Sequence, residues 1–206
     1  MLLLAGVGVG CRSSISTESS IRDRSRDAVL VTSTRCDGTA TGSGFQIDET
    51  HVVTNRHVVE GSRDLEVRGG SQTEAVLEVS VSTNTDLAVL RIANAVAPIL
   101  QPGPEPKAGD VVWVIGHPRG GPVTSSSGRI VDYTTKLSDN GIDSVIRARA
   151  TVDRGNSGGP MENRVGGVVG LVFAIDLNEG FAVAIPISRV GAALEHVQPI
   201  PLVDSC

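Results

Sequence analysis

Aromatic side chains are nearly absent from this sequence: 206 residues hold one Trp, one Tyr and three Phe. That scarcity excludes a base-stacking platform, which needs several rings in series, and an aromatic carbohydrate cleft. Positive charge is not in excess either. The formal net charge is −5 and no long block of Lys or Arg occurs, which excludes a phosphate-tracking nucleic-acid partner. The apolar run at residues 1–10, MLLLAGVGVG, falls short of the ~20 residues a helix needs to cross a bilayer. Cysteine is scarce and odd in number, with three residues, so any pairing leaves one over.

Valine and glycine are plentiful, at 29 and 24 residues. β-Branched residues suit a pleated sheet and glycines permit tight turns, so short strands in quick succession are expected. From Ala28 the chain follows that pattern, with AVLVTSTR, GSGFQID, HVVTN, DLEVRGG, a longer TEAVLEVSVST and DLAVLRIA. Residues 97–110, APILQPGPEPKAGD, hold four of the ten prolines and read as a linker. VVWVIGHP, PVTSSSGRIVDYTT, DSVIRARATV, VGGVVGLVFAID and GFAVAIP are again strand-like. SRVGAALEHV alone reads as a helix, with Ser188 as N-cap and Val190, Ala193, Leu194 and Val197 on one face. Without β–α alternation a doubly wound sheet is excluded. The expectation is an all-β domain over residues 28–206: one strand set at about 28–98, a linker at about 99–110, a second set at about 111–187, and a helix and tail at 188–206.

Residues 1–27 are expected to stay outside the fold. RSSISTESSIRDRSRD, residues 12–27, has no apolar period and reads as a flexible tether. Residues 1–10 have the length of the apolar part of a secretory signal. The small residues leading to Cys11 resemble a bacterial lipoprotein signal, which implies acylation of Cys11 and membrane anchoring of the N-terminus. Gly8 in place of the usual Leu, and no Lys or Arg before the run, depart from that pattern, so an apolar N-terminus without a targeting role stands beside it. Cys36 follows the first strand and Cys206 ends the chain. In an oxidising compartment these two are expected to pair, and in a reducing one to remain thiols.

RGNSGGP, residues 154–160, carries the strongest chemical signal. A serine set among glycines on a tight turn is exposed for attack, and the amides of Gly155 and Ser157 are free to crowd a carbonyl oxygen as an oxyanion hole. Serine needs a histidine base, and the base needs an orienting carboxylate. His57 lies in VVTNRHVVE and Asp86 in TNTDLAVLRI. Together, TNRHVV, NTDLAVL and GNSGGP resemble the chymotrypsin-like serine proteases, specifically their bacterial Deg/HtrA branch, over about residues 28–197. VIGHPRG and SSGRIV sit where that branch carries segments of its second barrel.

The resemblance implies two six-stranded antiparallel β-barrels with a short C-terminal helix, and an exported serine endopeptidase acting on proteins or peptides. His57 is then the base, Asp86 its orienting partner and Ser157 the nucleophile, with no metal or organic cofactor. It also implies a role in envelope protein quality control or signalling. Asn156 stands where digestive-type relatives carry an Asp that pairs with a new N-terminus, so no zymogen switch of that kind is expected. Thr151 occupies the position at the base of the specificity pocket, and the strand GLVFAID forms its wall, with Phe173, Ala174 and Ile175 near its mouth; these uncharged residues imply small or medium aliphatic substrate side chains. Asp153, closer to Ser157, is the counter-indication, since a free carboxylate there favours a basic side chain. With nine residues after Val197, an appended PDZ domain is not expected in this sequence.

Two other functions fit parts of the sequence. GNSGG matches the esterase elbow, and Ser157, Asp176 and His196 follow that family's order, but the elbow needs a strand–turn–helix and an upstream oxyanion segment that the sequence lacks. A catalytically silent protease-like binding protein is the second. His51, His117 and His196 read as surface or structural, because no pair among them has metal-ligand spacing.

Overall fold

The structure is a computed structural model and describes residues 23–134, 144–176, 180–204 and 206. Cys11, with the rest of residues 1–22, lies outside the described residues. The first half of the chain runs through β1 (Val29–Arg35), β2 (Gly38–Gln46), β3 (His51–Thr54), one helical turn α1 (Arg56–Val59), β4 (Asp64–Gly69), β5 (Gln72–Ala75), β6 (Glu78–Ser82) and β7 (Ala88–Arg91). The second half holds β8 (Val111–Gly116), β9 (Thr124–Thr134), β10 (Val145–Arg149), β11 (Pro160–Glu162), β12 (Val168–Asp176) and β13 (Phe181–Pro186), then α2 (Ile187–Leu194) and β14 (Val197–Ile200).

The second set closes into a six-stranded barrel in the order β10-β13-β12-β11-β8-β9. The first set curls into an eight-stranded sheet, ordered β14-β6-β7-β3-β2-β1-β4-β5. The expected two-lobed all-β architecture is present, with one lobe closed and the other a curled half-barrel. Its two ends are extended by β5 and β14 rather than joined to each other.

Alternation explains the sheet faces. In β4, Leu65, Val67 and Gly69 point inward while Asp64, Glu66 and Arg68 point out, the two-residue period of a half-buried strand. Each lobe has its own interior. A third cluster forms the seam between lobes: Phe45, Val53 and Leu87 from the first meet Leu171, Val183 and Ile185 from the second, with Val190 and Ala193 of α2. At roughly 1.5–3 kcal/mol per fully buried large apolar side chain, this seam makes the lobes one body and fixes the cleft between them.

Several local expectations are corrected. TEAVLEVSVST is two strands, because the chain changes partner: the Val76 amide donates to Leu65 O at 2.9 Å and the Leu77 amide to Arg91 O at 2.8 Å. α2 starts at Ile187 with Pro186 at the N-cap position and no side-chain cap, so Ser188 lies inside the helix. Val197 begins β14, paired with β6 through Val197↔Ser82. β11 is a three-residue strand that begins on Pro160, the last residue of the RGNSGGP turn, and is not expected from the sequence. Residues 23–27 are part of the folded body rather than the tether. Arg24 is buried: its Nε donates to Glu162 Oε2 at 3.1 Å, its guanidinium donates to the carbonyls of Asn163 and Arg164 at 3.2 and 3.1 Å, and it stacks on Trp113 at 4.1 Å.

Cys36 and Cys206 are disulfide-bonded, with Cα atoms 5.5 Å apart. The bond ties the tail beyond β14 to the β1–β2 turn. In a chain-entropy description so long a loop contributes about 5 kcal/mol. In a Cys11→Ser background, oxidised protein is expected to show no reactive thiol before reduction and two after it, with a lower Tm. Two free thiols in protein recovered from an oxidising compartment contradict the pairing.

Candidate active site

His57 sits on α1, the single turn that follows β3. Val58 and Val59 are buried and anchor the turn, which leaves His57 half-exposed at the cleft. Its Nδ1 donates to Asp86 Oδ2 at 2.6 Å, and its backbone N–H donates to Asp86 Oδ1 at 3.0 Å. Asp86 closes the β6–β7 loop and is itself held: the buried Asn55 donates through Nδ2 to Asp86 O at 2.8 Å. In a neutral ring whose Nδ1 proton is engaged by the carboxylate, the Nε2 lone pair is available to accept a proton.

Ser157 lies on the turn between β10 and β11. A Cβ on Gly42 of β2 would come within 2.7 Å of the Val58 methyls and 3.1 Å of Ser157 O, so glycine at that place lets α1 and the serine turn back onto one strand. Gly158 follows at φ +89, and a Cβ there would run into Ser43 O and the Thr54 hydroxyl; the turn requires glycine on both counts. The Ser157 hydroxyl donates to Phe173 O on β12 at 3.4 Å, not to His57. Phe173 also lines the cleft beside His57 and Asp86, so serine and histidine border the same residue. One χ1 rotation separates the hydroxyl's present orientation from others.

The turn's backbone is arranged with carbonyls engaged and two amides bare. Arg154 O accepts from the Arg119 amide at 2.6 Å and Asn156 O from the Gly159 amide at 3.0 Å. A trans peptide points its N–H opposite its carbonyl, so the N–H groups of Gly155 and Ser157 face away from those donors. Among the described residues neither donates to a protein acceptor. Two unpaired amides beside a serine hydroxyl can receive an oxyanion.

The adjoining pocket, about 210 Å³, is lined by Val152, Asp153, Arg154, Asn156, Ser157, Val172 and Ile175. Of the residues expected around the specificity pocket, Ile175 is among those lining this one. Thr151 is exposed and its neighbour Val152 takes the lining place, while Phe173 belongs to the neighbouring cleft of His57. The backbone of Ala174 pairs with Val183; its side chain is outside the described part of the structure. Asp153 is not a free carboxylate: Arg119 Nε donates to its Oδ2 at 2.7 Å, and that guanidinium, with the Arg154 amide, holds the carboxyl below its ordinary range. Asn156 is buried and accepts the Asp153 amide at 3.2 Å.

The remaining histidines stand apart. His51 pairs with Asp48 at 2.9 Å near the surface, His117 is buried and donates from Nδ1 to Gly121 O at 2.9 Å, and His196 is exposed in the turn after α2. The Ser157 turn leads into antiparallel β11, not a helix, so the esterase elbow is not built here. Three contributors gave no sequence signal of their own. Asn55, Ser43 and Arg119 act through buried or backbone bonds to residues 31, 112 and 35 positions away, Ser43 through Gly155 O and Arg119 through Arg154 O.

A family model for the trypsin-like peptidase domain matches residues 42–171. Serine protease Rv3671c of Mycobacterium tuberculosis is 34% identical over 175 residues, covering 77% of this chain and 44% of that protein. A probable periplasmic serine endoprotease, DegP-like, of Rickettsia conorii is 35% identical over 173 residues, covering 76% of this chain and 34% of its own length. The crystal structure of the Rv3671c protease of M. tuberculosis in its active form superposes with a TM-score of 0.78 at 27% identity, covering 87% of this chain and 84% of that one. The chain spans less than half the length of these curated relatives.

Proposed function

Because the chain belongs to the trypsin-like peptidase family, among the HtrA/DegP-type serine proteases, we propose that it is a serine endopeptidase whose triad is Ser157, His57 and Asp86. The observation that carries this reading is the pairing of Asp86 with both N–H groups of His57, at 2.6 and 3.0 Å, beside a serine turn with two bare amides. In the first step Ser157 Oγ bonds to the substrate carbonyl carbon while its proton passes to His57 Nε2. The tetrahedral oxyanion accepts from the amides of Gly155 and Ser157. Collapse breaks the peptide C–N bond as His57 protonates the leaving amine, giving an acyl-enzyme. Water, deprotonated by His57, then releases the acid and restores Ser157.

A fluorophosphonate probe is expected to label the wild-type chain and not Ser157→Ala. A folded wild-type chain that takes up no probe overturns the enzyme reading in favour of a silent protease-like binder.

The pocket supports apolar cleavage sites. Val152, Val172 and Ile175 line it, and its nearest carboxylate, Asp153, is already matched by Arg119. In a peptide-library profile the residue before the cut is expected to be a small or medium aliphatic. A profile dominated by Lys or Arg contradicts this.

The same proposal places the protein outside the reducing cytosol. The Cys36–Cys206 bond persists in oxidising compartments, and the Rickettsia relative is named as periplasmic. A part in envelope protein quality control or signalling, and anchoring through Cys11, belong to this reading as well.

A further inference from the structure

Ser43 connects three pieces of the molecule that have to agree for the site to work. It lies on β2, in the first lobe, and is fully buried. Its Oγ donates to Gly155 O at 2.7 Å and accepts the His117 amide at 2.8 Å. Its own amide donates to Ser157 O at 2.7 Å. One residue of the first lobe thus holds two carbonyls of the nucleophile turn and, through one hydroxyl, the 117–121 turn of the second lobe.

That hydroxyl has one proton and uses it on Gly155 O, so its rotor is determined by its partners. The peptide it holds, between Gly155 and Asn156, lies between the two peptides whose N–H groups are bare. Every carbonyl from Arg154 to Ser157 is engaged: Arg154 by the Arg119 amide, Gly155 and Ser157 by Ser43, Asn156 by the Gly159 amide. Gly155, at φ +97, is the soft joint of this stretch, because glycine resists rotation of its flanking peptides less than any other residue. A pin on the following peptide is what stops rotation at that joint from carrying the Gly155 N–H out of line with the Ser157 N–H. Arg119, the one non-glycine residue with left-handed backbone among the described residues, at φ 55, holds the preceding peptide.

We infer that Ser43 is a positioning residue for the oxyanion hole. Its hydroxyl sets the plane of the Gly155–Asn156 peptide and so the mutual aim of the Gly155 and Ser157 amides. The inference rests on the assignment of those amides to the oxyanion hole. Ser43 touches neither substrate nor the reacting atoms, and acts through the turn.

The test compares the full chain with Ser43→Ala, which removes one buried oxygen, on a chromogenic peptide ester and a peptide amide. Misaiming a donor without deleting it is expected to lower kcat about 10- to 100-fold, with KM unchanged. Affinity for a peptide aldehyde, whose hemiacetal oxyanion occupies the hole, falls by the same factor, while affinity for the corresponding product peptide holds. Should Ser43→Ala not fold, Ser43→Cys, which keeps a weak donor in place, carries the same comparison with a smaller loss. A folded variant that keeps its kcat overturns the inference, as does a loss that falls equally on the product peptide. A wild-type chain that neither hydrolyses peptides nor reacts with fluorophosphonate removes the protease reading itself, and this proposal with it. That outcome is distinct from an active wild type beside an equally active variant.

Discussion

His57→Ala is expected to lower kcat on the order of 10⁶-fold, about as much as removing the nucleophile, whereas His196→Ala leaves the rate within about twofold, as an exposed substitution does. The size of the first effect follows from what remains. Alanine takes away the acceptor for the Ser157 proton, and the hydroxyl's present partner, Phe173 O, is a carbonyl too weakly basic to replace it. The Asp86 carboxylate survives but points at the place of the missing ring, held there by the His57 amide and by Asn55 through its backbone carbonyl. The bare amides of Gly155 and Ser157 also survive, so slow residual turnover is expected if they serve as the proposed oxyanion hole. The second effect separates enzyme classes. Ser157, Asp176 and His196 are in esterase order, but His196 lies exposed between α2 and β14, and β14 belongs to the far end of the first sheet. A rate lost with His196→Ala and kept with His57→Ala reverses the assignment. Steady-state kinetics on one peptide substrate, with the Tm of each variant, decides it.

The elements that read directly from the sequence are those whose signal is local. His57 and Ser157 each carry a block of neighbours, TNRHVV and GNSGGP, whose glycines and buried valines are what the turn and α1 need; Gly158 and Val58 show this in atomic contact. Strands such as β4 announce themselves by alternation. What the sequence hides is decided by partners far along the chain. β14 is a strand because β6, whose paired residues lie 115 to 121 positions earlier, has a free edge, and its four residues, with a proline among them, resemble a tail. The break between β5 and β6 marks a change of partner from β4 to β7 and has no glycine or proline to show it. Arg24 looks like the rest of a Ser- and Arg-rich tether, yet it meets Glu162 and Trp113 inside the second lobe. Ser43 looks like one more small residue in a glycine-rich strand. Its importance is visible only when Gly155 and His117 are brought to its hydroxyl. Val152 lines the pocket beside Ser157 and Thr151 does not; both lie in the irregular stretch after β10, where no two-residue period tells which neighbour faces inward.

Asp86→Asn is expected to lower kcat about 10⁴-fold while leaving the fold intact, and hydrogen-bond inventory explains why so small a change does so much. The carboxylate offers two acceptor oxygens, and both are used by His57: Oδ1 by the backbone N–H at 3.0 Å and Oδ2 by Nδ1–H at 2.6 Å. An asparagine has one oxygen and one NH₂. If its oxygen faces Nδ1, the NH₂ confronts the His57 amide, and two donors are left without an acceptor, at about 1–3 kcal/mol for an unsatisfied group. If its oxygen keeps the amide, the NH₂ faces Nδ1, and the ring satisfies it by moving its proton to Nε2. The second arrangement loses no hydrogen bond and therefore prevails. It also places a proton where Ser157 needs a lone pair, so the base is disabled although nothing has moved. The negative charge that would stabilise the imidazolium is lost in the same step. Asn55 continues to hold the loop, because its bond is to the Asp86 main chain, so Tm is expected to stay close to wild type. Asp86→Asn with an unchanged Tm and more than about a tenth of the wild-type kcat is incompatible with an orienting role, since a wrong tautomer removes far more than that.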